Sequence, residues 1–245
     1  MNIFTKIFLQ ARDFLFPGAC ALCGGNLTES VEIHRSLCQD CSPALSLPVS
    51  NKCNLCGKPL ISEIDTCLPC RNGELRSYER LWVLYPYIGN CRKLLTAYKF
   101  QKNLALANIF AEKIMEILTT HVFTEYPELK NAWFVPVPPG PGKIKNTGWD
   151  QIDHLVKRLK KTKGCLPVLR CLKRKKSKVQ KQLDRAERLE NLKGRIYLTN
   201  KKIIKDGVFI IIDDVITTGS TLEVCAAALK ASGASKVYGI CLFFD

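Results

Sequence analysis

The sequence predicts an α/β protein with a mainly parallel sheet flanked by helices, preceded by a small metal-binding module. Residues 208–212 form a continuous apolar, β-branched run, which is typical of a strand buried on both faces of such a sheet. Residues 222–232 have a helical composition that ends at Gly233, and residues 236–244 are again strand-like, so these segments make a βαβ unit. The metal-binding module is predicted from eight cysteines that form four Cys-x-x-Cys pairs within 51 residues.

The N-terminal segment is predicted to be an amphipathic helix. Its apolar residues follow helical spacing through Leu15, and charged residues such as Lys6 and Arg12 interrupt any signal-peptide core. We expect this helix to pack on the protein, with docking on a membrane surface as the alternative. No run of 18 apolar residues is present, so no membrane span is expected. Without a signal peptide, the expected location is the cytoplasm.

The four cysteine pairs predict two zinc sites. Each pair places two thiolates on one tight turn, and four pairs in series supply the eight ligands of two tetrahedral centres. We expect consecutive pairs to share a metal, although a cross-braced arrangement would use the same residues. The sequential sites would be formed by Cys20, Cys23, Cys38 and Cys41, and by Cys53, Cys56, Cys67 and Cys70.

Two alternatives to zinc are considered for these cysteines. Disulfides require an oxidising compartment, which the missing signal peptide argues against. An iron–sulfur cluster would also accept four cysteine ligands. Four protein ligands leave no open coordination position, so we expect the zinc to be structural. In a segment with so little apolar core, the metal would supply much of the folding free energy.

Further elements are predicted between the cysteines and the βαβ unit. Residues 80–88 are strand-like and residues 91–98 helical, and a short break at residues 99–102 precedes a second helix. Residues 133–137 form another buried strand, which the following two prolines end. A helix is predicted at about residues 150–161, and a helix and loop are expected over residues 180–194.

The side chains that follow residues 208–212 predict a site for a sugar phosphate. Asp213 and Asp214 come at the carboxyl end of the strand, where open α/β sheets bind ligands. The loop of residues 217–221 precedes a helix, so its N–H groups and hydroxyls favour an anion, and Gly219 permits close approach. The motif has neither the lysine of a Walker A loop nor the glycines of a dinucleotide fingerprint. The alternative is an ordinary capped turn.

This segment resembles the phosphoribosyl-pyrophosphate (PRPP) loop of type I phosphoribosyltransferases. The resemblance implies that Asp213 and Asp214 contact the ribose hydroxyls. It also implies a set of residues that hold the 5′-phosphate, namely Thr217, Thr218, Gly219, Ser220 and Thr221.

The positive charge is concentrated in one segment. The chain carries a net charge of +15, and residues 157–205 contain 19 basic and three acidic residues, which gives +16 for this segment alone. Such a block predicts contact with phosphate backbones, including nucleic acid, and the alternative is a solvated basic segment. Tyr197 is its only aromatic residue, so no stacking platform is visible. The densest cluster is Lys173, Arg174, Lys175, Lys176 and Lys178.

The cysteine pairs, the predicted strands and helices and the phosphate loop, in this order along the chain, resemble the ComF family. In that family an N-terminal double zinc ribbon precedes a phosphoribosyltransferase-like domain. The resemblance covers nearly the whole chain, including Tyr98-Lys99-Phe100 and Gly148-Trp149-Asp150-Gln151. Thr147 stands where the family usually has arginine, so that role, if retained, would fall to Lys143 or Lys145. The resemblance also implies a pyrophosphate loop formed by Lys99, Phe100, Gln101 and Lys102.

The family resemblance implies a division of the chain and a function. Residues 1–76 would form the helix and zinc module, and residues 77–245 a type I phosphoribosyltransferase fold. PRPP would bind with Mg²⁺, and the protein would act on single-stranded DNA in DNA uptake or processing during natural transformation, alongside other uptake or recombination proteins. The alternative is an active phosphoribosyltransferase of nucleotide metabolism. The sequence shows no general base or acceptor pocket, so no catalytic residue is assigned.

Overall fold

A computed structural model describes residues 18–45, 52–72, 76–175, 194–199 and 204–245 of the chain. The N-terminal amphipathic helix that the sequence predicts lies outside these residues, as does most of the predicted helix and loop at 180–194. Lys176 and Lys178 of the basic cluster also lie outside them.

The N-terminal module consists of two short cysteine-bearing hairpins with small helices. Antiparallel bridges join Ala19 to Asn26 in the first hairpin and Lys52 to Pro59 in the second. In the first half of the module, the buried Glu32 carboxylate accepts hydrogen bonds from the backbone N–H groups of Thr28, Glu29 and Gln39. These hydrogen bonds connect segments of the module that a larger apolar core would otherwise hold together. The helical turns of the module are α1 (Ser30–Arg35), the 3₁₀ turn Ser42–Leu45 and α2 (Leu68–Arg71).

The remaining described chain is built on a four-stranded parallel sheet, as the sequence predicts. Its spatial order is β1-β6-β5-β2, and β3 and β4 form a separate antiparallel pair. The central strands β5 and β6 are almost entirely buried, because helices cover both faces of the sheet. The strands are β1 (Leu81–Pro86), β2 (Trp133–Pro136), β3 (Leu172–Arg174), β4 (Ile196–Leu198), β5 (Val208–Ile216) and β6 (Lys236–Phe244).

The helices that flank the sheet divide the core into two layers. One layer contains Tyr98 and Phe110, and the other contains Val224 and the buried Cys225. The helix Leu106–Ile117 continues through a wide π-type turn, Leu118–Val122, and ends in a final helical turn, Phe123–Glu125. A 3₁₀ turn at Pro127–Asn131 then leads into β2. The flanking helices are α3 (Gly89–Lys99), α4 (Leu106–Ile117), α5 (Lys143–Thr147), α6 (Gln151–Leu159) and α7 (Ser220–Lys230).

The structure shifts two of the predicted boundaries around the acidic pair. Strand β5 continues to Ile216, so Asp213 and Asp214 lie within the strand and not beyond its end. Helix α7 starts at Ser220, two residues earlier than predicted. The reason is Gly219, whose left-handed φ of 77° turns the chain directly into the helix and is costly for residues with a side chain. The connecting loop is therefore only three residues long.

The second cysteine hairpin packs directly on the sheet. The backbone N–H of Leu81 in β1 donates to the carbonyl of Leu55, and the Lys52 ammonium donates to the carbonyls of Val83 and Leu84 at 2.7 and 3.1 Å. A Cβ on Gly57 would lie 2.7 Å from the Val83 side chain, so only glycine allows this approach. The metal-binding module and the sheet thus share an interface along β1.

Within the described part of the chain, no helix is both long and apolar enough to cross a membrane.

Candidate functional site

The eight predicted cysteine ligands form two separate clusters. The first consists of Cys20, Cys23, Cys38 and Cys41, and the second of Cys53, Cys56, Cys67 and Cys70. Within each cluster the sulfur atoms lie within 4.8 Å of one another. This is the sequential grouping, and the cross-braced alternative is excluded because no cluster mixes the two halves.

The sulfur geometry fits a tetrahedral metal. The Sγ atoms of Cys23 and Cys38 are 3.8 Å apart, and those of Cys56 and Cys67 are 3.6 Å apart. Four thiolates at about 2.3 Å from a central zinc ion would be separated by about 3.8 Å, whereas a disulfide bond is about 2.05 Å long. The two clusters therefore have the donor set and the spacing of two structural zinc sites.

Backbone N–H groups prepare part of each cluster for a metal. Burial alone would raise the pKa of Cys20, but hydrogen bonds from the N–H groups of Leu22, Cys23 and Cys38 outweigh it and hold that pKa at about 6. Burial is similarly outweighed at Cys53, whose pKa is about 7. A thiol that ionises near neutral pH gives up its proton to a metal at little cost.

The acidic pair lies at the carboxyl edge of the sheet, beside the end of α3. Asp214 is buried, and its Oδ2 accepts a hydrogen bond from the Gln151 amide at 2.7 Å and lies 3.1 Å from Lys99 Nζ. Its other oxygen accepts from the backbone N–H of Val215 at 3.0 Å. The half-buried Asp213 accepts from the backbone N–H of Asp214 at 2.9 Å. Two carboxyl groups and one ammonium group thus share a confined space.

The two carboxyl groups differ in their acidity. Burial and the neighbouring negative charge of Asp214 raise the pKa of Asp213 well above its ordinary value. Burial also disfavours the charge on Asp214, but the Lys99 ammonium and the Gln151 amide outweigh it and lower the pKa of this carboxyl. The pair therefore combines one carboxyl group with a lowered pKa and one with a raised pKa.

A cavity of about 500 Å³ opens over the acidic pair. This volume is within the usual range for a small-molecule site. Its lining includes both aspartates, Lys99, Thr217 and Thr221. The carboxyl edge of the sheet and the N-terminal end of α7 therefore meet at one opening, which combines acceptors for hydroxyl groups with donors for an anion.

A second polar network supports Asp214 from the side of α5 and α6. The Lys143 ammonium lies 2.9 Å from Asp150 Oδ1 and also donates to the side-chain oxygen of Gln151. Gln151 in turn donates its amide to Asp214 at 2.7 Å. Lys143, Asp150 and Gln151 all line the cavity, whereas Lys145 is exposed and is not part of the lining. Of the two lysines considered in place of the family arginine, the structure positions Lys143 at the site.

The predicted pyrophosphate loop is only partly at the cavity. Lys99 and Phe100 line it, and Lys99 contacts Asp214. Lys102 instead donates to the backbone carbonyl of Thr147 at 2.9 Å, with a left-handed φ of 55°. Gln101 is exposed and is absent from the cavity lining.

The predicted phosphate loop is divided between two cavities. Thr217 and Thr221 line the large cavity, whereas Thr218 and Gly219 line a smaller neighbour that also includes Thr217. Ser220 is buried, and its Oγ lies 2.9 Å from Thr218 Oγ1. The loop is therefore a wall between two openings.

The described part of the basic cluster does not form one surface. Arg174 lines the large cavity, although the sequence assigned it to nucleic-acid contact. Lys173 is exposed on β3, and the Lys175 ammonium lies 5.2 Å from the centre of the Tyr197 ring. Arg174 is separated from Lys173 and Lys175 because alternation along a short strand sends neighbouring side chains to opposite faces.

Two known protein families match separate segments of the chain. The double zinc ribbon domain family matches residues 11–71, and the phosphoribosyl transferase domain family matches residues 148–245. The matches agree with the two cysteine clusters and with the sheet that carries the acidic pair. The chain therefore combines a double zinc ribbon with a phosphoribosyltransferase domain.

Several curated proteins are similar to this chain over most of its length. Competence protein ComFC of Streptococcus pneumoniae is 24% identical, with 89% of this chain and 96% of that protein covered. Competence protein F of Haemophilus influenzae is 27% identical, covering 91% and 95%. DNA utilization protein YhgH of Salmonella typhi is 29% identical, covering 92% and 96%.

Fold and site together define a phosphoribosyltransferase-like protein that carries two zinc ribbons. The zinc ribbons precede the phosphoribosyltransferase domain along the chain, and the similarity to the competence proteins extends across both parts. Over most of its length the chain is similar to competence proteins ComFC and F, and its two parts match the double zinc ribbon and phosphoribosyl transferase domain families.

The zinc assignment predicts a stoichiometry of two metal ions per chain. Elemental analysis of protein purified without added metal should find about two zinc ions, and the Cys38→Ser variant should retain about one. Loss of a structural metal should also lower Tm, because ligand binding and folding are coupled. Cys91→Ser, which removes a half-buried cysteine outside both clusters, is the matched control and should retain two. Iron in place of zinc, or equal loss in both variants, would contradict the assignment.

Proposed function

We propose that the protein binds PRPP together with Mg²⁺ in the large cavity. The observation that carries this is the placement of Asp213 and Asp214 beside Lys99 in a 500 Å³ opening that also reaches the start of α7. In this arrangement the carboxyl groups accept hydrogen bonds from the ribose hydroxyls, and Lys99 faces the negatively charged pyrophosphate. Thr217 and Thr221 reach the 5′-phosphate from the end of the loop, where N–H groups favour an anion.

The donor set of the cavity suits the magnesium ion. Mg²⁺ prefers oxygen ligands and is usually bound through one or two carboxylates together with substrate phosphates. The metal would neutralise charge on the pyrophosphate. A cation there would also favour the ionised form of Asp213, whose pKa is raised in the free protein.

Lys143, Gln151 and Arg174 complete the proposed binding site. Lys143 and Arg174 bring two further positive charges to the cavity lining, where a ligand with several phosphates requires them. Gln151 fixes the orientation of the Asp214 carboxylate through a 2.7 Å hydrogen bond. We assign Gln151 as a positioning residue, since it acts on the ligand through Asp214.

The biological setting proposed for this pocket is DNA uptake or processing during natural transformation, in the cytoplasm. Its support is similarity to proteins named for competence and DNA utilization, and the charge of +16 carried by residues 157–205. Single-stranded DNA is the proposed macromolecular partner, and other uptake or recombination proteins are further partners in this scheme.

A second candidate function is phosphoribosyl transfer to an acceptor. The observation that favours it is the apolar part of the cavity lining, where Tyr87, Phe100 and Pro138 provide a surface suited to a planar ring. Attack of an acceptor nitrogen on the anomeric carbon would release pyrophosphate, and Lys99 would stabilise the departing charge. Pyrophosphate release across a panel of acceptors, with and without single-stranded DNA, separates turnover from binding alone.

The PRPP proposal predicts ligand-dependent stabilisation that requires Asp214. At about 100 times the dissociation constant, PRPP with Mg²⁺ should stabilise the protein by about 2.7 kcal/mol and raise Tm by roughly 5–10 °C. Asp214→Asn should abolish this shift, because the amide loses the charge that pairs with Lys99. Thermal unfolding with and without ligand measures the shift in Tm of the wild type and of the variant. Asp206→Asn, an exposed position with φ of 58°, should behave like the wild type. No shift in the wild type would refute PRPP binding.

The raised pKa of Asp213 predicts opposite effects on stability and binding. Because the folded state holds this proton more tightly than the unfolded state, ionisation of Asp213 destabilises the fold as pH rises above the unfolded pKa of about 3.9. Asp213→Asn should therefore raise Tm of the free protein, with a gap that widens as pH rises above about 3.9. The same variant should weaken PRPP binding and flatten its loss at low pH. A variant less stable than the wild type at pH 8 would contradict this.

The DNA proposal predicts a salt-dependent affinity that resides in the basic segment. Changing Lys173, Lys175, Lys176 and Lys178 to glutamine should weaken binding of a single-stranded oligonucleotide and reduce the slope of log K against log salt by about 0.7 per lost phosphate contact. Fluorescence anisotropy at several salt concentrations measures both quantities. The control changes four exposed lysines outside residues 157–205: Lys93, Lys130, Lys145 and Lys236. Equal losses in both variants would show that net charge, and not this segment, binds DNA.

A further inference from the structure

The smaller cavity lies between the second zinc ribbon and the phosphate loop. It has a volume of about 240 Å³, and its walls come from three parts of the chain. The ribbon contributes Lys58, the segment that joins ribbon to sheet contributes Arg76 and Tyr78, and the loop contributes Thr218 and Gly219. Thr217 lines this cavity and the large one, so the two openings meet at the loop.

The hydroxyl of Tyr78 is directed at the loop without a partner. Tyr78 is only 3% exposed, and within the described residues its buried hydroxyl makes no hydrogen bond. The oxygen lies 3.9 Å from the point that a Cβ on Gly219 would occupy. A buried hydroxyl without a partner costs free energy, which a bound acceptor would recover. The geometry thus leaves a donor beside the backbone of the phosphate loop.

Positive charge accompanies this hydroxyl. Arg76 Nη1 lies 3.7 Å from the same point at Gly219, and the guanidinium carbon is 6.0 Å from the centre of the Tyr78 ring. Lys58 supplies an exposed ammonium group on the ribbon side of the cavity. A guanidinium, an ammonium and a phenol around a loop at a helix N-terminus together form a site for an anion.

The segment that carries Arg76 and Tyr78 is fixed to α7. The backbone N–H of Ser77 donates to both carboxylate oxygens of Glu223, at 3.0 and 3.1 Å, and the Ser77 hydroxyl donates to the same carboxylate. Glu223 lies in the first turn of α7, directly after the loop. Arg76 and Tyr78 therefore keep a defined position relative to residues 217–219, which a binding site requires.

We propose that Arg76 and Tyr78 bind the 5′-phosphate of the sugar-phosphate ligand from the zinc-ribbon side of the loop, with Lys58 adding long-range attraction. The inference rests on the proposed binding of PRPP and assigns two further binding residues to it. One face of the phosphate site is then supplied by the segment that follows the second ribbon. The ligand group is a phosphate monoester on a sugar, and the pyrophosphate is proposed to lie beside Lys99 in the large cavity, whose lining includes neither Arg76 nor Tyr78.

Binding measurements with PRPP and with two compounds that each contain part of it test this assignment. Binding of PRPP, ribose 5-phosphate and pyrophosphate is measured by calorimetry on the full chain with its zinc, for the wild type, Arg76→Gln and Tyr78→Phe. Loss of a charge-assisted contact should weaken PRPP and ribose 5-phosphate by roughly 10- to 100-fold in Arg76→Gln, and loss of one hydroxyl should weaken both by roughly 3- to 10-fold in Tyr78→Phe. Pyrophosphate, which lacks the 5′-phosphate, should bind unchanged.

The control is Arg71→Gln, which removes an exposed arginine from α2 of the same ribbon and should leave all three affinities unchanged. Zinc content and Tm of every variant establish that the ribbon is intact, and Tyr78→Phe keeps the ring that packs there. An equal loss of affinity for pyrophosphate would overturn the proposal, because the substitutions would then weaken anion binding in general and not binding of the 5′-phosphate.

A single-stranded oligonucleotide distinguishes the other source of phosphate. If Arg76→Gln weakened oligonucleotide binding but not ribose 5-phosphate, the cavity would serve a phosphodiester backbone and the proposal would be wrong. If the wild type did not bind PRPP or ribose 5-phosphate at all, the proposed function itself would fail. If it bound both and neither variant changed the affinities, only the assignment of Arg76 and Tyr78 would fail.

Discussion

The site depends on the confinement of two neighbouring carboxyl groups against one ammonium group. Asp213 and Asp214 lie on a strand whose other residues are packed on both faces, so the backbone cannot move to relieve their repulsion. Lys99 and Gln151 stabilise the charge of Asp214, and Asp213 retains a raised pKa. A buried pair of this kind lowers stability and persists where a ligand or cation compensates for it. The surrounding strands and helices supply the rigidity that this arrangement needs.

Much of this fold and part of the site follow from local patterns in the sequence. The buried run before Asp213 identifies β5, and the spacing of the cysteines identifies the eight ligands, whereas the choice between sequential and cross-braced grouping required the structure. The end of β5 was misjudged because acidic residues are rare within buried strands. The positions of Lys143 and Arg174 in the cavity could not be inferred, since they depend on how α5 and β3 pack against the sheet. The Gly-Trp-Asp-Gln motif was the available signal for Gln151, without indicating its contact with Asp214.

The two halves of the protein act on one another through short polar links. Ser77 joins the segment after the second ribbon to the first turn of α7, and the hydrogen bond from Leu81 to Leu55 joins the ribbon to β1. Arg76 and Tyr78, on either side of Ser77, reach the phosphate loop. A change in the second ribbon would therefore alter the geometry near Gly219, whereas none of the described residues that line the small cavity belongs to the first ribbon.

The contacts of Lys52 have a consequence for self-association. Strand β1 is the outermost strand on its side of the sheet, and such a strand presents unpaired carbonyl groups that can recruit a strand from another molecule. The Lys52 ammonium occupies the carbonyls of Val83 and Leu84, and the Leu55 carbonyl takes the N–H of Leu81. On the opposite side, Phe134 pairs with the chain at Val168. The second zinc ribbon thus shields an aggregation-prone margin, and a chain that lost this metal would expose it.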